Sequence, residues 1–355
     1  REGFVENLEI NVSIIRRKIK DKNLHFEFFN VGRRSQTDLA VIYIEDIADE
    51  NIVRQLKLKI SAINVDYISA TGMLSQFFDK HDYNIFPQFN GTEKPDKVEA
   101  DLMEGKIALI LEGTPYVITA PAIFSEFFQT TEDYYLRPVM SSLIRILRYV
   151  AAFIVITLNP LYLTLVKSNS EFIPINFLIP IAQARQGIAL TIFVELFTME
   201  IVIEFLREGG LRLPSRIAQT LSVVGGIILG GAAVRSKFVT PTTLFFIGIT
   251  TISSFLLSNY DMSMAVRFLK FPMLLLSYFL GIFGIAIGWY LILFYLCSLE
   301  NFGVPYFSFK KADMKDIFVR APLRKMNRRP EAIPNTNSVR QADLGNESGG
   351  GADDR

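Results

Sequence analysis

Between Tyr149 and Leu299 apolar side chains run almost unbroken, whereas on either side they recur at the short periods of helices and strands. Phe4, Leu8, Val12 and Ile15 lie at helical spacing and lead into the basic run Arg16-Arg17-Lys18-Ile19-Lys20. Leu24 to Val31 alternates as a strand does, and Leu39 to Ile44 is a short continuous apolar run, the pattern of a buried strand. Ile52, Leu56, Ile60 and Ile63 then return at helical intervals. A second unit repeats this logic. Pro95 opens a helix carrying Val98, Leu102 and Met103, and Gly105 closes it. Ile107–Leu111 and Tyr116–Ala120 read as strands joined by the turn Glu112-Gly113-Thr114-Pro115. Residues 1–140 therefore predict a cytosolic α/β module of two small lobes, about 1–70 and 71–130.

Residues 141–299 predict an α-helical multi-pass membrane domain. Four stretches carry no charge: Tyr149–Val166, Ile217–Val234, Phe238–Leu257 and Phe271–Leu299, the last 29 residues long. A bilayer core of about 30 Å needs about 20 apolar residues as a helix, so each qualifies as a span. The stretch 172–206 contains Pro174 and Pro180, then Glu195, Glu200 and Glu204. Glu200, Glu204 and Glu208 form one stripe at 100° per residue, and a charge at the bilayer centre costs about 3 kcal/mol. This segment is expected either along the interface or packed inside with Arg185 or Arg207 as partners, so the domain holds four to six helices.

Charge sharpens the division. The totals, 37 Lys+Arg against 36 Asp+Glu, suggest no electrostatic message. Yet residues 149–299 hold 15 charged side chains in 151 positions, and the other 204 residues hold 58. The near-zero sum argues against a nucleic-acid binder. Eight Lys and Arg between residues 300 and 329 mark a basic cytosolic segment, and Arg145 and Arg148 put the N-terminal module on the same side. Both ends inside require an even number of crossings, with Arg267 and Lys270 then falling outside. Residues 330–355, with the run Gly349-Gly350-Gly351, read as a disordered tail. Arg1 has no Met before it, and the chain is expected to begin inside a longer one.

Candidate chemistry is sparse. One cysteine excludes a disulfide framework, and with His25 and His81 far apart neither a metal centre nor a cofactor is expected. Glu132, Asp133 and Tyr134 have no nucleophile beside them, His81-Asp82 reads as a surface pair, and Cys297 as a packing or lipid-facing residue. No enzymatic constellation appears. Two other patterns stand out. Gly225, Gly226, Gly230 and Gly231 put small residues on one helix face, allowing close helix packing within one chain or between subunits, and Gly281, Gly284 and Gly288 repeat this more weakly. Thr243, Ile247, Thr250 and Ser254 lie at spacings of 4, 3 and 4 on one face of a predicted helix. That stripe is either a set of hydroxyls bonded to their own helix or the lining of a water-filled path between subunits.

The chain resembles the A subunit of the GerA-type spore germinant receptors from Arg1 to about Pro334. The resemblance is carried by Arg1 to Glu6, Thr92 to Asp96, Glu112 to Tyr116 with Ala120 to Ala122, Glu132 to Tyr135 and Leu143 to Tyr149. Gly225 to Ala233, Val239-Thr240-Pro241, Ser253 to Phe255 and Asn259-Tyr260 are the most specific stretches. Glu112 stands where the family usually has Asp, Gly231 where Gln is common, and Thr240 where Ser is usual. The SpoVAF-like sporulation branch shares these motifs and remains an alternative. The resemblance implies a subunit in the spore inner membrane that acts with B and C subunits in germination. It also implies a homo-oligomeric ring that passes monovalent cations, with Thr243, Ile247, Thr250 and Ser254 as its lining. A solute transporter or a scaffold without a pore are the competing readings, separated from the channel by oligomeric state.

Overall fold

The computed structural model describes residues 3–80, 83–310 and 313–341. His81-Asp82, Lys311, the first two residues and the Gly349-Gly350-Gly351 run lie outside these. Two units divide the chain: Arg1–Ile146 with Tyr295–Arg355, and Leu147–Phe294 between them.

The first unit is built on one five-stranded antiparallel sheet of order β1-β2-β4-β5-β3. Its strands are β1 (Leu24–Val31), β2 (Thr37–Ile44), β3 (Asn90–Thr92), β4 (Ile107–Leu111) and β5 (Val117–Ala120). Successive side chains of a strand point to opposite faces. Leu39, Val41, Ile107, Leu109 and Leu111 therefore enter one core, beside Ile52, Leu56 and Ile60 of α2 (Glu50–Ala62) and Leu74 of α3 (Thr71–Gln76). Ala40, Ile42, Ile44, Ala108 and Ile110 enter the other, against Leu8, Val12 and Ile15 of α1 (Leu8–Lys18) and Val98 and Leu102 of α4 (Pro95–Met103). Helices on both faces explain why Leu39–Ile44 of β2 and the whole of β4 are apolar. Each fully buried Leu or Ile contributes about 1.5–3 kcal/mol.

This arrangement corrects the expected two lobes. Leu39 of β2 pairs directly with Leu111 of β4, so the second set of strands extends the first sheet. With β4 apolar on both faces, it cannot serve as the exposed edge of a separate small domain.

The unit also claims the chain beyond the apolar block. Glu300–Asn301 and Val304–Pro305 (β6 and β7) form a hairpin whose turn residues Phe302 and Gly303 both take positive φ. Its Phe302 packs on Phe78 and Phe89 in the core under α2. Residues 330–341 are ordered, against the expected disorder from residue 330. Ala332 and Ile333 are buried, Asp313 accepts from the backbone N–H groups of residues 331 and 332, and Thr336 N–H donates to Ile47 C=O. Two small apolar side chains and these hydrogen bonds suffice where composition looks polar. Residues 342–355 lie outside the described residues.

Helices α5 (Glu132–Tyr135) and α6 (Pro138–Lys167) lead into the second unit. There follow α7 (Ile175–Ala184), α8 (Ile192–Leu211), α9 (Ser215–Arg235), α10 (Pro241–Phe255), α11 (Tyr260–Leu280) and α12 (Ile282–Ser298). Among the described residues, α6 and α11 are long and apolar enough to cross a membrane, while α7, α10, α12 and the described part of α9, Gly225–Arg235, are shorter. The expected single span Phe271–Leu299 is two helices. Gly281, at φ +60°, ends α11, and α12 folds back on it. A Cβ on Gly284 would stand 2.1 Å from the Leu276 carbonyl oxygen, and one on Gly288 would stand 2.4 Å from Met273 Sδ. These glycines let the two helices touch.

Candidate functional site: a buried charge cluster among the apolar helices

Helix α8 packs against α9, α10 and α11, which settles the ambiguous 172–206 segment in favour of interior packing for its acidic part. Thr191 caps α8 by accepting from Val194 N–H, and the capped helix presents Glu195 and Glu200 inward, both buried. An isolated ionised group removed from water costs several kcal/mol, so such carboxylates persist only with partners.

Glu195 has four. Its Oε1 accepts from Arg185 at 2.9 Å, the pairing that the sequence suggests for this segment. Its Oε2 accepts from Thr240 N–H and Thr243 Oγ1, each at 3.1 Å, and Thr240 Oγ1 donates to Thr243 Oγ1 at 2.7 Å. The Tyr162 hydroxyl stands 3.4 Å from Thr243.

About one turn further on, Glu200 and Glu204 share Lys270. The Lys270 ammonium donates to both carboxylates, at 2.9 Å to Glu204, while Arg267 donates to the other Glu204 oxygen at 3.0 Å. Asn159 Nδ2 donates to Glu200 and to Thr250 Oγ1, the latter at 3.2 Å. Arg207 Nη2 donates to Ser254 Oγ at 3.0 Å. Lys270 and Arg267, assigned by charge counting to an outside loop, are instead buried on α11 as partners of α8.

The four stripe residues come together here. Thr243, Ile247, Thr250 and Ser254 are 0–3% exposed and form the buried face of α10, turned toward α6 and α8 of the same chain. Thr250 and Ser254 also donate to their own helix, at Ile247 C=O and Thr251 C=O, which is the first of the two readings of the stripe. The glycine set divides. A Cβ on Gly225 would meet Leu206 of α8 at 3.4 Å and one on Gly231 the Arg235 guanidinium at 3.3 Å, whereas Gly226 and Gly230 face open space.

A second buried cluster lies in the first unit. Lys106 is fully buried, 2.8 Å from Asp101 and 2.9 Å from Glu126. Its charge outweighs burial at Asp101, whose carboxyl drops to about 2. At Glu126 burial wins and lifts the carboxyl to about 7. Glu126 also lines a cavity of about 290 Å³ with Glu104, Lys315, Arg328 and Arg340. Asp133 and Tyr134, considered as chemistry from sequence, are structural: Asp133 pairs with buried Arg145 at 3.3 Å, and the Tyr134 hydroxyl donates to Asp316 at 2.7 Å. Arg145 is thereby held inside the first unit. Glu112 accepts from Leu8 N–H at the start of α1, where its charge favours the helix dipole.

Comparison with known proteins gives these clusters a context. The family model described as "Bacillus/Clostridium GerA spore germination protein" matches residues 1–332. The chain belongs to the GerA spore germination family. It is 37% identical over 346 residues to the uncharacterized membrane protein YfkQ of Bacillus subtilis (strain 168), covering 96% of this chain and 67% of that protein. Spore germination protein KA of the same organism is 37% identical over 345 residues, covering 96% and 63%. Spore germination protein GerLA of Bacillus cereus is 34% identical over 344 residues, covering 96% and 70%. The chain thus spans about two thirds of the length of these relatives. The crystal structure of the N-terminal domain of the A subunit of the Bacillus megaterium spore germinant receptor GerK3 matches 35% of this chain and 98% of that domain. Its identity is 34% and its TM-score 0.29.

Sequence reasoning about this GerA-family chain overlooks Asn159, Arg267 and Lys270 as site residues. The available signal is general: basic side chains beside an apolar run, together with three carboxylates on another, ask to be paired inside the protein. Among the described residues no group of His, Cys, Asp and Glu is arranged to hold a metal ion.

Proposed function

We propose that this GerA-family chain is the A-type subunit of a spore germinant receptor, a multi-pass protein of the spore inner membrane. In this reading it joins B and C subunits and copies of itself in a ring that passes monovalent cations when a nutrient is sensed. The observation that carries the reading is the buried polar file along α10, where Thr243, Thr250 and Ser254 meet Glu195, Glu200, Glu204 and Lys270. Charged groups among apolar helices mark ion pathways more often than they add stability. Ile247, the one apolar member of the stripe, is buried between Thr243 and Thr250, and in this reading it supplies a hydrophobic constriction.

Two further features support it. Chain segments before α6 and after α12 fold into the same unit, as an even number of crossings requires. Gly226 and Gly230 have open space above them and exposed Ile227, Ile228 and Leu229 beside them, a face on which a second copy can pack closely. The test is reconstitution of the receptor, co-expressed with its partner subunits, in liposomes loaded with potassium. Nutrient-dependent potassium efflux together with a cyclic oligomeric mass is expected. A monomer without efflux overturns the reading and favours a scaffold.

A further inference from the structure

The Lys270 ammonium, on α11, is the cation at the centre of the buried cluster. It lies between the Glu200 and Glu204 carboxylates, at 2.9 Å from the latter, and is itself buried. Two neutral side chains adjoin Glu200. Thr250 Oγ1 and Asn159 are joined to Glu200 through the Asn159 amide, and Asn159 Oδ1 is buried without a hydrogen-bond partner among the described residues. Two carboxylates, a hydroxyl and an amide oxygen are the ligand set that hard monovalent cations take.

We propose that Lys270 is a tethered stand-in for the ion: it fills a monovalent-cation site formed by Glu200, Glu204, Thr250 and Asn159, and a cation enters when Lys270 withdraws. This inference rests on the ion-conducting reading above and adds the residue that closes the path. Charge balance selects the class of ion. Exchanging one ammonium for one monovalent cation leaves the cluster's charge unchanged, whereas a divalent ion adds an uncompensated charge in a medium of low dielectric constant. The helix provides a place to move. Pro272 stands two residues beyond Lys270 inside α11 and lacks the N–H that would bond the preceding turn, so a bend here costs less than elsewhere. Arg267, one turn back on α11, keeps Glu204 paired at 3.0 Å and need not move with Lys270.

The test is rubidium flux through the complete receptor in liposomes, with and without nutrient. Lys270→Gln is expected to raise the unstimulated flux about tenfold or more, and Lys270→Arg to keep it at the wild-type level. The double variant Glu200→Gln/Lys270→Gln is expected to be tight again, because the site has lost the carboxylate that holds the ion. Thr250→Val leaves the ion pairs intact and is expected to cut stimulated flux several-fold with no leak, which guards against a folding defect in the first variant. If the wild type conducts on stimulation but Lys270→Gln does not leak and Thr250→Val conducts normally, this inference fails while the channel reading stands. If the wild type conducts under no condition, the channel reading fails and takes this inference with it.

Discussion

Lys106 follows Gly105 at the end of α4 and precedes β4, a position where a lysine ordinarily reaches solvent. Here it is sealed under the Phe124–Phe128 turn, which delivers Glu126, and its ammonium answers Asp101 and, at 3.7 Å, Glu104 as well. Three carboxylates around one buried ammonium leave negative charge in excess, and Lys97, 3.1 Å from Asp101, offsets only part of it. Glu126 carries the strain, since burial raises its pKa from 4.5 to about 7. A carboxyl so raised favours the fold fully below about pH 4.5, and its contribution is lost as pH climbs through 7. Glu126→Gln should therefore be more stable than the parent at pH 8 by about 1–3 kcal/mol and show little difference at pH 4.5. Thermal midpoints of the two proteins at both pH values check this, and an equal difference at the two would refute it. Nothing local marks Lys106 in the sequence. Its burial depends on Glu126, 20 residues away, and on the turn that brings it back.

At the scale of elements, α11 and α12 show what apolar patterning hides. The 29 charge-free residues from Phe271 to Leu299 are long enough for a span, and the pattern has no polar break to signal a turn. Gly281 supplies one through its φ of +60°, a conformation that glycine adopts without strain. The glycines that follow are then of two kinds across the helical unit. A side chain on Gly284 would strike the Leu276 backbone, which cannot swing aside, whereas Gly226 has nothing within 4 Å. Gly284→Ala is expected to destabilise the protomer by about 1–3 kcal/mol. Gly226→Ala should leave the isolated protomer unharmed, or stabilise it by up to about 1 kcal/mol through helix propensity, while lowering the mass of the assembly. Thermal midpoints and native mass measured on both variants distinguish the two roles. The α10 stripe was legible because four side chains at helical spacing need no long-range knowledge. Its partners were not, since Lys270 lies 70 residues from Glu200 in the chain and Asn159 lies 41 residues before it.

For the molecule as a whole, the decisive fact is that the chain returns. β2 and β4 were each recognisable as buried strands, yet their pairing joins residues 72 positions apart, Leu39 and Leu111, and so unites what periodicity divides into lobes. The same holds at larger separation for Phe302, which reaches the core beside Phe78 and Phe89, and for Ile333, buried although its neighbours in sequence are Pro, Ala and Asn. A module that takes its last layer from beyond the apolar block cannot have its two parts on opposite sides of a bilayer. If the helical unit spans the bilayer as proposed, the number of crossings between α6 and α12 is therefore even, whichever of the shorter helices span. The one cysteine makes this measurable without engineering a background: Cys297 is exposed near the C-terminal end of α12. A membrane-impermeant maleimide should label Cys297 only in inside-out vesicles, and a cysteine placed at Asn337 in a Cys297→Ser chain should be labelled from that side too. Labelling of the two positions from opposite faces would break the even count and, with it, the proposed cytosolic placement of both ends.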